Sequence, residues 1–357
     1  MQTLAQFQAE FNPLIEAARH GSPEKPEVIS GWLARARRLG DSTIVAQAYV
    51  TLGHAHQHVG ALPRAQAAFR AAISLFDEAR RDRDMIEAQL QLGHAYYAAG
   101  AYQRALGIWL DSLSRVHALH DVENGARVYL GVGKVYYAIE DYATALAYHE
   151  FALKLADPHG DPYLSCEVLI NIASDAYRQQ VYDRALVALQ EAGALLRGAV
   201  RNQVWEAEVR SYHGLIHYAR GDYPAAREAL EGALAIHRDN QNLWGLSHVL
   251  LALGRSYLRL GMLDEADAAL QEAMRLSSEG GMAALQRDVA DLLADLALSR
   301  DDHRAALLAY KRLAALTCAD STAAALRPGP AVAERLRRIL LQTRIAQTRL
   351  RLDATPV

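Results

Sequence analysis

The sequence predicts an all-α solenoid of stacked helical hairpins, and three observations carry that prediction. Small residues following an apolar one recur at Gly53, Gly93, Gly133, Ala173, Gly214, Gly254 and Ala294, at intervals of 40, 40, 40, 41, 40 and 40. An alanine stands 12 residues after each of them, at Ala65, Ala105, Ala145, Ala185, Ala226, Ala266 and Ala306. Between the two falls a turn residue, often glycine: Gly60, Gly100, Glu140, Gln180, Gly221, Gly261 and Asp301. A fixed period of this length marks a repeat architecture, and it outranks every local signal.

Each unit reads as two antiparallel helices joined by a tight turn. The second helix opens on an aromatic or large apolar residue in most units: Leu62, Tyr102, Tyr142, Tyr182, Tyr223, Leu263 and His303. Asp141, Asp222 and Asp302 stand where a carboxylate accepts from the free N–H groups of that helix. Pro63 and Pro224 fall in its first turn, where a missing N–H costs nothing. The small residue and the alanine are expected to let two helix backbones approach, with a large side chain beside them at Phe69, Trp109, Leu189, Leu230, Leu270 and Tyr310. His149 is the exception in that set. One hairpin has no way to bury its apolar face alone, so neighbours stack and stability is largely a nearest-neighbour property.

The pattern Leu92-Gly93, Tyr96, Gly100, Tyr102, Ala105-Leu106 resembles the tetratricopeptide repeat, in a longer class of roughly 40 residues instead of about 34. The resemblance spans about residues 42 to 318, and it implies a right-handed superhelical solenoid of about seven hairpins. Residues 1–41 read as two degenerate capping helices, over 3–19 and 27–39, broken by Gly21-Ser22-Pro23 and Pro26. Residues 319–330, with Arg327-Pro328-Gly329-Pro330, read as a linker. Residues 331–357 return to a helix rich in arginine. That last helix has three readings: a cap covering the final repeat, a coiled-coil seam making a homodimer through Leu336, Ile339, Thr343, Ala346 and Leu350, or a basic face.

Composition excludes several classes. A formal net charge of −3 sets up no bulk field toward nucleic acid or anionic lipid. No uninterrupted apolar run approaches the roughly 18 residues of a membrane span, and no secretory signal opens the chain, so a cytoplasmic location is expected. Cys166 and Cys318 lie far apart without a CxxC spacing, against a disulfide framework. No phosphate loop, dinucleotide fingerprint or nucleophile elbow occurs, so catalysis is not expected and no cofactor is called for.

In tetratricopeptide families the ligand lies in a groove lined by the first helix of each repeat. Carried over by alignment, the resemblance implies groove positions Gln47, His54, Gln57, His58, Glu87, Gln91, His94 and Tyr97 in the first two repeats. The central ones are Arg127, Lys134, Tyr137, Glu167, Asn171, Ser174, Arg178, Glu208, Tyr212 and Tyr218. The last repeats add His248, Arg255, Arg259, Asp288, Asp291 and Asp295. The bland reading of any one of them is a solvated helix face. As a set they sort by sign, with histidines first, cations in the centre and aspartates last. Arg127, Lys134 and Arg178 suit a carboxylate or phosphate, and Asn171 a peptide backbone.

Three function classes follow from these residues. The first is a scaffold binding a peptide or partner segment in the groove. The resemblance to arrays of cell-polarity adaptors, which bind extended peptides in the groove, implies that same mode. Resemblance to arrays of bacterial signalling proteins implies the second class, a sensory module serving a diguanylate cyclase or a transcriptional output domain and dimerising through the C-terminal helix. No GGDEF motif is present here. The third is a small-molecule or metal binder, suggested by His54, His58 and His94 and by His213 and His217, though zinc sites need three or four converging ligands. The register itself is testable. Ala145→Arg forces a charged chain into a helix contact and should destabilise severely. A melting temperature within roughly two degrees of the parent would refute the alignment.

Overall fold

The computed structural model describes residues 3–19, 22–156 and 160–318, and every regular element among them is helical. The chain forms two compact units that divide between Glu140 and Asp141. The first holds α1 (Leu4–Arg19), α2 (Pro26–Leu39), α3 (Ser42–His58), α4 (Leu62–Glu78), α5 (Asp82–Ala98), α6 (Tyr102–Ala118) and α7 (Val122–Ala138). The second holds α8 (Tyr142–Ala156), α9 (Pro162–Arg178), α10 (Tyr182–Arg197), α11 (Gln203–Ala219), α12 (Tyr223–Asp239), α13 (Leu243–Leu260), α14 (Leu263–Glu279), α15 (Ala283–Ser299) and α16 (His303–Cys318). Within each unit every helix packs on its sequence neighbours, so the layers are helical hairpins in chain order. The expected linker 319–330 and basic helix 331–357 lie outside the described residues.

The turns explain why the helices stop where they do. All seven expected turn residues adopt positive φ, from 56° at Asp301 to 82° at Gly221. The turns between repeats use the same conformation at Gly40, Arg80, His120, Gly160, Gln241 and Gly281. A left-handed residue thus recurs about every 20 positions. It lets two N–H groups turn back onto the helix just ended: Gly60 donates to the Gln57 carbonyl (3.0 Å) and Ala61 to that of His56 (2.8 Å), and the pattern repeats at Gly100, His120, Gln180, Gly221, Gln241, Gly261 and Gly281. The next helix then starts on a capped end. Asp141, Asp222 and Asp302 accept from Thr144, Ala225 and Ala305 at 3.1, 3.2 and 2.9 Å. Asp41, Asp121, Asp161, Asn202 and Asn242 do the same for first helices.

Packing corrects the expected role of the small residues. A Cβ on Gly93 would lie 2.0 Å from Nε1 of Trp109, one on Gly53 2.5 Å from the Phe69 ring, and one on Gly254 2.5 Å from Leu270. The glycine chiefly makes a socket for the large side chain 16 residues later, and only at Gly214 does a backbone atom, the Ala226 oxygen at 3.1 Å, approach comparably. Trp109 is fully buried between Gly93 and Gly131, and its Nε1–H reaches the Leu90 carbonyl at 3.3 Å. All seven partner alanines are buried, Ala145 included.

One position in the large-side-chain set departs from expectation, and the histidine that replaces another is accommodated. Tyr310 is 43% exposed, beside exposed Leu307 and Leu308 on α16. His149 is buried like its aromatic and aliphatic counterparts, because its Nδ1 meets Oδ2 of the equally buried Asp175 at 2.6 Å. Burial pushes the Asp175 carboxyl above the ordinary carboxylate range, against the pull of the His149 hydrogen bond. In α1 and α2, Phe7, Phe11 and Trp32 form an aromatic cluster under the Arg35 guanidinium. Pro26 proves to be the first residue of α2, where its ring suits the helix start, and not a break.

Two glycines in neighbouring helices give opposite predictions. Gly93→Ala drives a methyl into Trp109 and should cost about 1–3 kcal/mol. Gly107→Ala, in α6 with nothing within 4 Å of the new Cβ, should stabilise by roughly 0.5–1 kcal/mol through helix propensity. Urea denaturation of both variants checks the socket: shifts of the same sign would refute it.

Candidate functional site

Consecutive first helices touch one another inside each unit: α5 meets α7, and α9, α11, α13 and α15 follow in series. Inside a unit, a first helix also packs on its own second helix and on the second helix before it. One stripe is left over for function. In the second unit that stripe carries Glu167, Asn171, Ser174 and Arg178 on α9, Glu208 and Tyr212 on α11, His248, Arg255 and Arg259 on α13, and Asp288, Asp291 and Asp295 on α15. The spacing of three or four residues keeps them on one side of the helix.

Their geometry divides them into bound and presented groups. Tyr212 donates its hydroxyl hydrogen to Ser174 Oγ at 2.6 Å, and its ring meets Tyr177 edge-on at 6.0 Å. Arg255 lies 3.8 Å from Asp288 on the next first helix, a half-exposed pair of small energetic weight. The His248 ring stacks on Trp244 at 4.1 Å and its Nδ1–H donates to the Trp244 carbonyl at 2.9 Å, leaving Nε2 as the acceptor. Burial holds His248 below the ordinary histidine range, so that ring is neutral. Asp291 and Asp295 are exposed on α15.

Three expectations are revised here. Asn171 turns its amide back to the Glu167 carbonyl at 2.8 Å instead of offering that bond to a peptide. Arg178 donates to the Tyr142 hydroxyl at 2.5 Å with its guanidinium 4.8 Å from the ring centre, and Arg259 lies over Tyr223 at 5.5 Å. Both arginines brace the opening tyrosine of the preceding second helix, which a stripe of sequence positions does not reveal. A long side chain at the last turn of a helix folds over the turn as readily as across the face.

In the first unit His54 and His94 sit edge-on to Phe69 and Trp109, at 5.5 and 5.3 Å. Those two histidines therefore roof the glycine sockets. His58 and Glu87 are exposed, and Gln91 is half-buried. Tyr97 pairs with Tyr102 at 5.5 Å, and burial, helped by Tyr102 and Tyr137, pushes its phenol up to about 12. Arg127 bonds Glu123 at 2.6 Å one turn back, while Lys134 and Tyr137 lie further along the same half-buried stripe of α7. Among the described residues no three His, Cys, Asp or Glu side chains gather as a metal site. Cys166 is buried and free, its thiol raised to about 11 by burial.

Tyr177 escaped the sequence reading although it stands in register with Tyr97, Tyr137 and Tyr218. The exposed rings of Tyr163 and Trp244 at the first turns of α9 and α13 escaped it too. The 40-residue period alone would have found Tyr177; the edge rings needed the turns to be placed.

Geometry of this kind defines a helical-hairpin repeat array with a polar wall of first helices. Residues 209–239 and 247–279 each match a tetratricopeptide repeat family model. No curated protein matches the chain in sequence. Among solved structures it is similar to the apo form of RapI, at 12% identity with a TM-score of 0.62, covering 78% of this chain and 99% of that one. A Rap protein complexed with competence and sporulation factor is similar at 14% identity and a TM-score of 0.56, covering 93% and 99%. So is the apo quorum sensor NprR from B. thuringiensis, at 14% and 0.56, covering 94% and 97%. At such identities the likeness is one of fold. No described helix is long and apolar enough to cross a membrane.

Burial also holds His117, His213 and His237 below the ordinary value of 6.5. The unfolded chain then takes up protons before the folded one, so the stability these rings contribute is lost as pH falls through about 6.5. Asp175 acts in the opposite sense, upward from 3.8. The urea midpoint should drop between about pH 7.5 and 5.5. A flat profile there would show the rings solvated.

Proposed function

We propose that the chain is a non-catalytic scaffold that binds a peptide, or an extended segment of a protein partner, along its first-helix wall in bacterial signalling or regulation. The observation that carries this reading is the stripe on α9, α11, α13 and α15. Its side chains hydrogen-bond or pair with one another, and over four adjacent helices they pass from acid, hydroxyl and cation on α9 and acid and hydroxyl on α11 to cations on α13 and aspartates on α15. An extended chain laid across those helices meets a new pair of polar groups at each step. Tyr212, His248 and Arg255 form its centre, and the aspartates of α15 favour a basic residue at one end.

The named neighbours support a regulatory setting. One is a quorum sensor, and another was crystallised with competence and sporulation factor. The braced positions of Arg178 and Arg259 shift the expected cation clamp toward Arg255, with Arg127 and Lys134 of α7 as separate contributors. Aromatic and arginine side chains are the ones that dominate binding energy at such surfaces.

Selection of a random peptide library on the immobilised chain tests the proposal. Sequence-related binders should emerge, and Tyr212→Ala with Arg255→Ala should weaken them at least about tenfold. Val187→Ala and Glu191→Ala, exposed on the second helix α10, should leave affinity unchanged. Failure to recover related peptides, or equal affinity in the wall variant, removes the reading.

A further inference from the structure

One seam in the second unit is built differently from the others. Eight residues after the recurring alanine, most second helices carry a large aliphatic side chain: Ile73, Leu113, Leu153, Leu234 and Met274. α10 has Gly193 there. The residue before the first-helix small position is Leu52, Leu92, Val132, Ile172, Leu253 or Leu293 elsewhere, and His213 on α11. Leu234 and Met274 show what the standard residue does, since both lie in the apolar core shared with Leu246, Val249, Leu285 and Val289 of the following first helices. At the α10–α11 seam both fillers are missing at once. The connecting turn differs as well. It runs from Gly198 to Asn202 where three residues are usual, and Gly198 has φ −106° in place of a left-handed conformation. This is where the single 41-residue interval takes up its extra residue.

The result is a half-open cavity of about 380 Å³. Leu186, Leu189 and Val209 form apolar walls, and Gln190, Gly193, Arg197 and His213 complete it. Its size falls within the roughly 300–1,000 Å³ of small-ligand pockets. Two of its three polar side chains, Arg197 and His213, are available to a ligand. Neither ring nitrogen of His213 has a hydrogen-bond partner among the described residues, and Arg197 pairs with no carboxylate there. The Arg197 guanidinium lies over the glycine, with Nη1 3.3 Å from where a Cβ on Gly193 would stand.

We propose that the α10–α11 seam is a binding site for a small amphipathic carboxylate, its apolar chain between the leucines and its acid group on Arg197 at the mouth. Arg197 offers a fork of donors matched to a carboxylate. The neutral His213 ring supplies one further donor or acceptor without adding charge to an apolar space. Each methylene taken from water into the cavity should strengthen binding about fourfold until the space is full. This site is separate from the first-helix wall and stands or falls without it.

Calorimetric titration of the full chain with straight-chain acids from butyrate to decanoate tests the proposal. Saturable binding is expected at millimolar concentration or below, with affinity rising along the series and then levelling. Octanol should bind more weakly than octanoate, and Arg197→Gln should bring octanoate down to the octanol level while leaving octanol unchanged. Gly193→Leu restores the side chain of the other repeats; it should abolish binding and raise the melting temperature. His213→Leu provides a second filled seam should the first variant pack poorly. The proposal is overturned by the absence of saturable binding to the parent chain, by octanoate affinity that persists in the filled variants, or by Arg197→Gln weakening acid and alcohol alike.

Discussion

A missing Cβ holds this architecture together. On most first helices one glycine leaves a socket, and the second helix fills it with the side chain sixteen positions later, as Phe69 fills Gly53, Trp109 fills Gly93, Leu230 fills Gly214 and Leu270 fills Gly254. That lock sets the distance and rotation of each hairpin. The left-handed residue that recurs about every 20 positions does the rest, ending each helix with its last carbonyls satisfied and reversing the chain. Several of those residues are not glycine. Arg80, His120, Glu140, Gln180, Gln241 and Asp301 accept a strained backbone, of roughly 1 kcal/mol each, because packing on both sides of the turn leaves no alternative.

Because the lock and the turns use only one stripe of each helix, chemistry elsewhere is free to vary. The first-helix wall carries tyrosines, histidines and charges that satisfy one another locally, through Tyr212 and Ser174, Arg255 and Asp288, His248 and Trp244. The seam between α10 and α11 shows the same physics from the other side. A glycine with a large side chain against it makes a lock, whereas Gly193, with no aliphatic partner supplied, leaves a cavity. Whether a small residue tightens or loosens an array depends on what its neighbour inserts.

Much of this was legible before any coordinates. The 40-residue beat named the turn residues, the opening residue of every second helix and three of the caps, since backbone conformation and hydrogen bonding act over a few residues and leave a local trace. The candidate wall was legible as a stripe but not as chemistry. Arg178 and Asn171 share a face with Tyr212, yet one folds onto Tyr142 and the other onto its own backbone. Long or amide side chains choose among partners within reach, and those partners come from residues some 36 positions away or from the helix itself. His54 and His94 stand among the groove positions in the sequence, and their edge-on ring contacts with Phe69 and Trp109 stayed hidden there for the same reason.

The amino-acid order by itself determined that the chain is helical, that its hairpins repeat, and where they turn, because these depend on side-chain size and backbone freedom at fixed spacing. Tertiary structure decided which side chain fills each glycine socket, why a histidine is tolerated beside Asp175, and where the α10–α11 seam opens. Those outcomes depend on volumes and polar partners brought together from separate helices, and no single stretch of sequence contains both halves of such a contact.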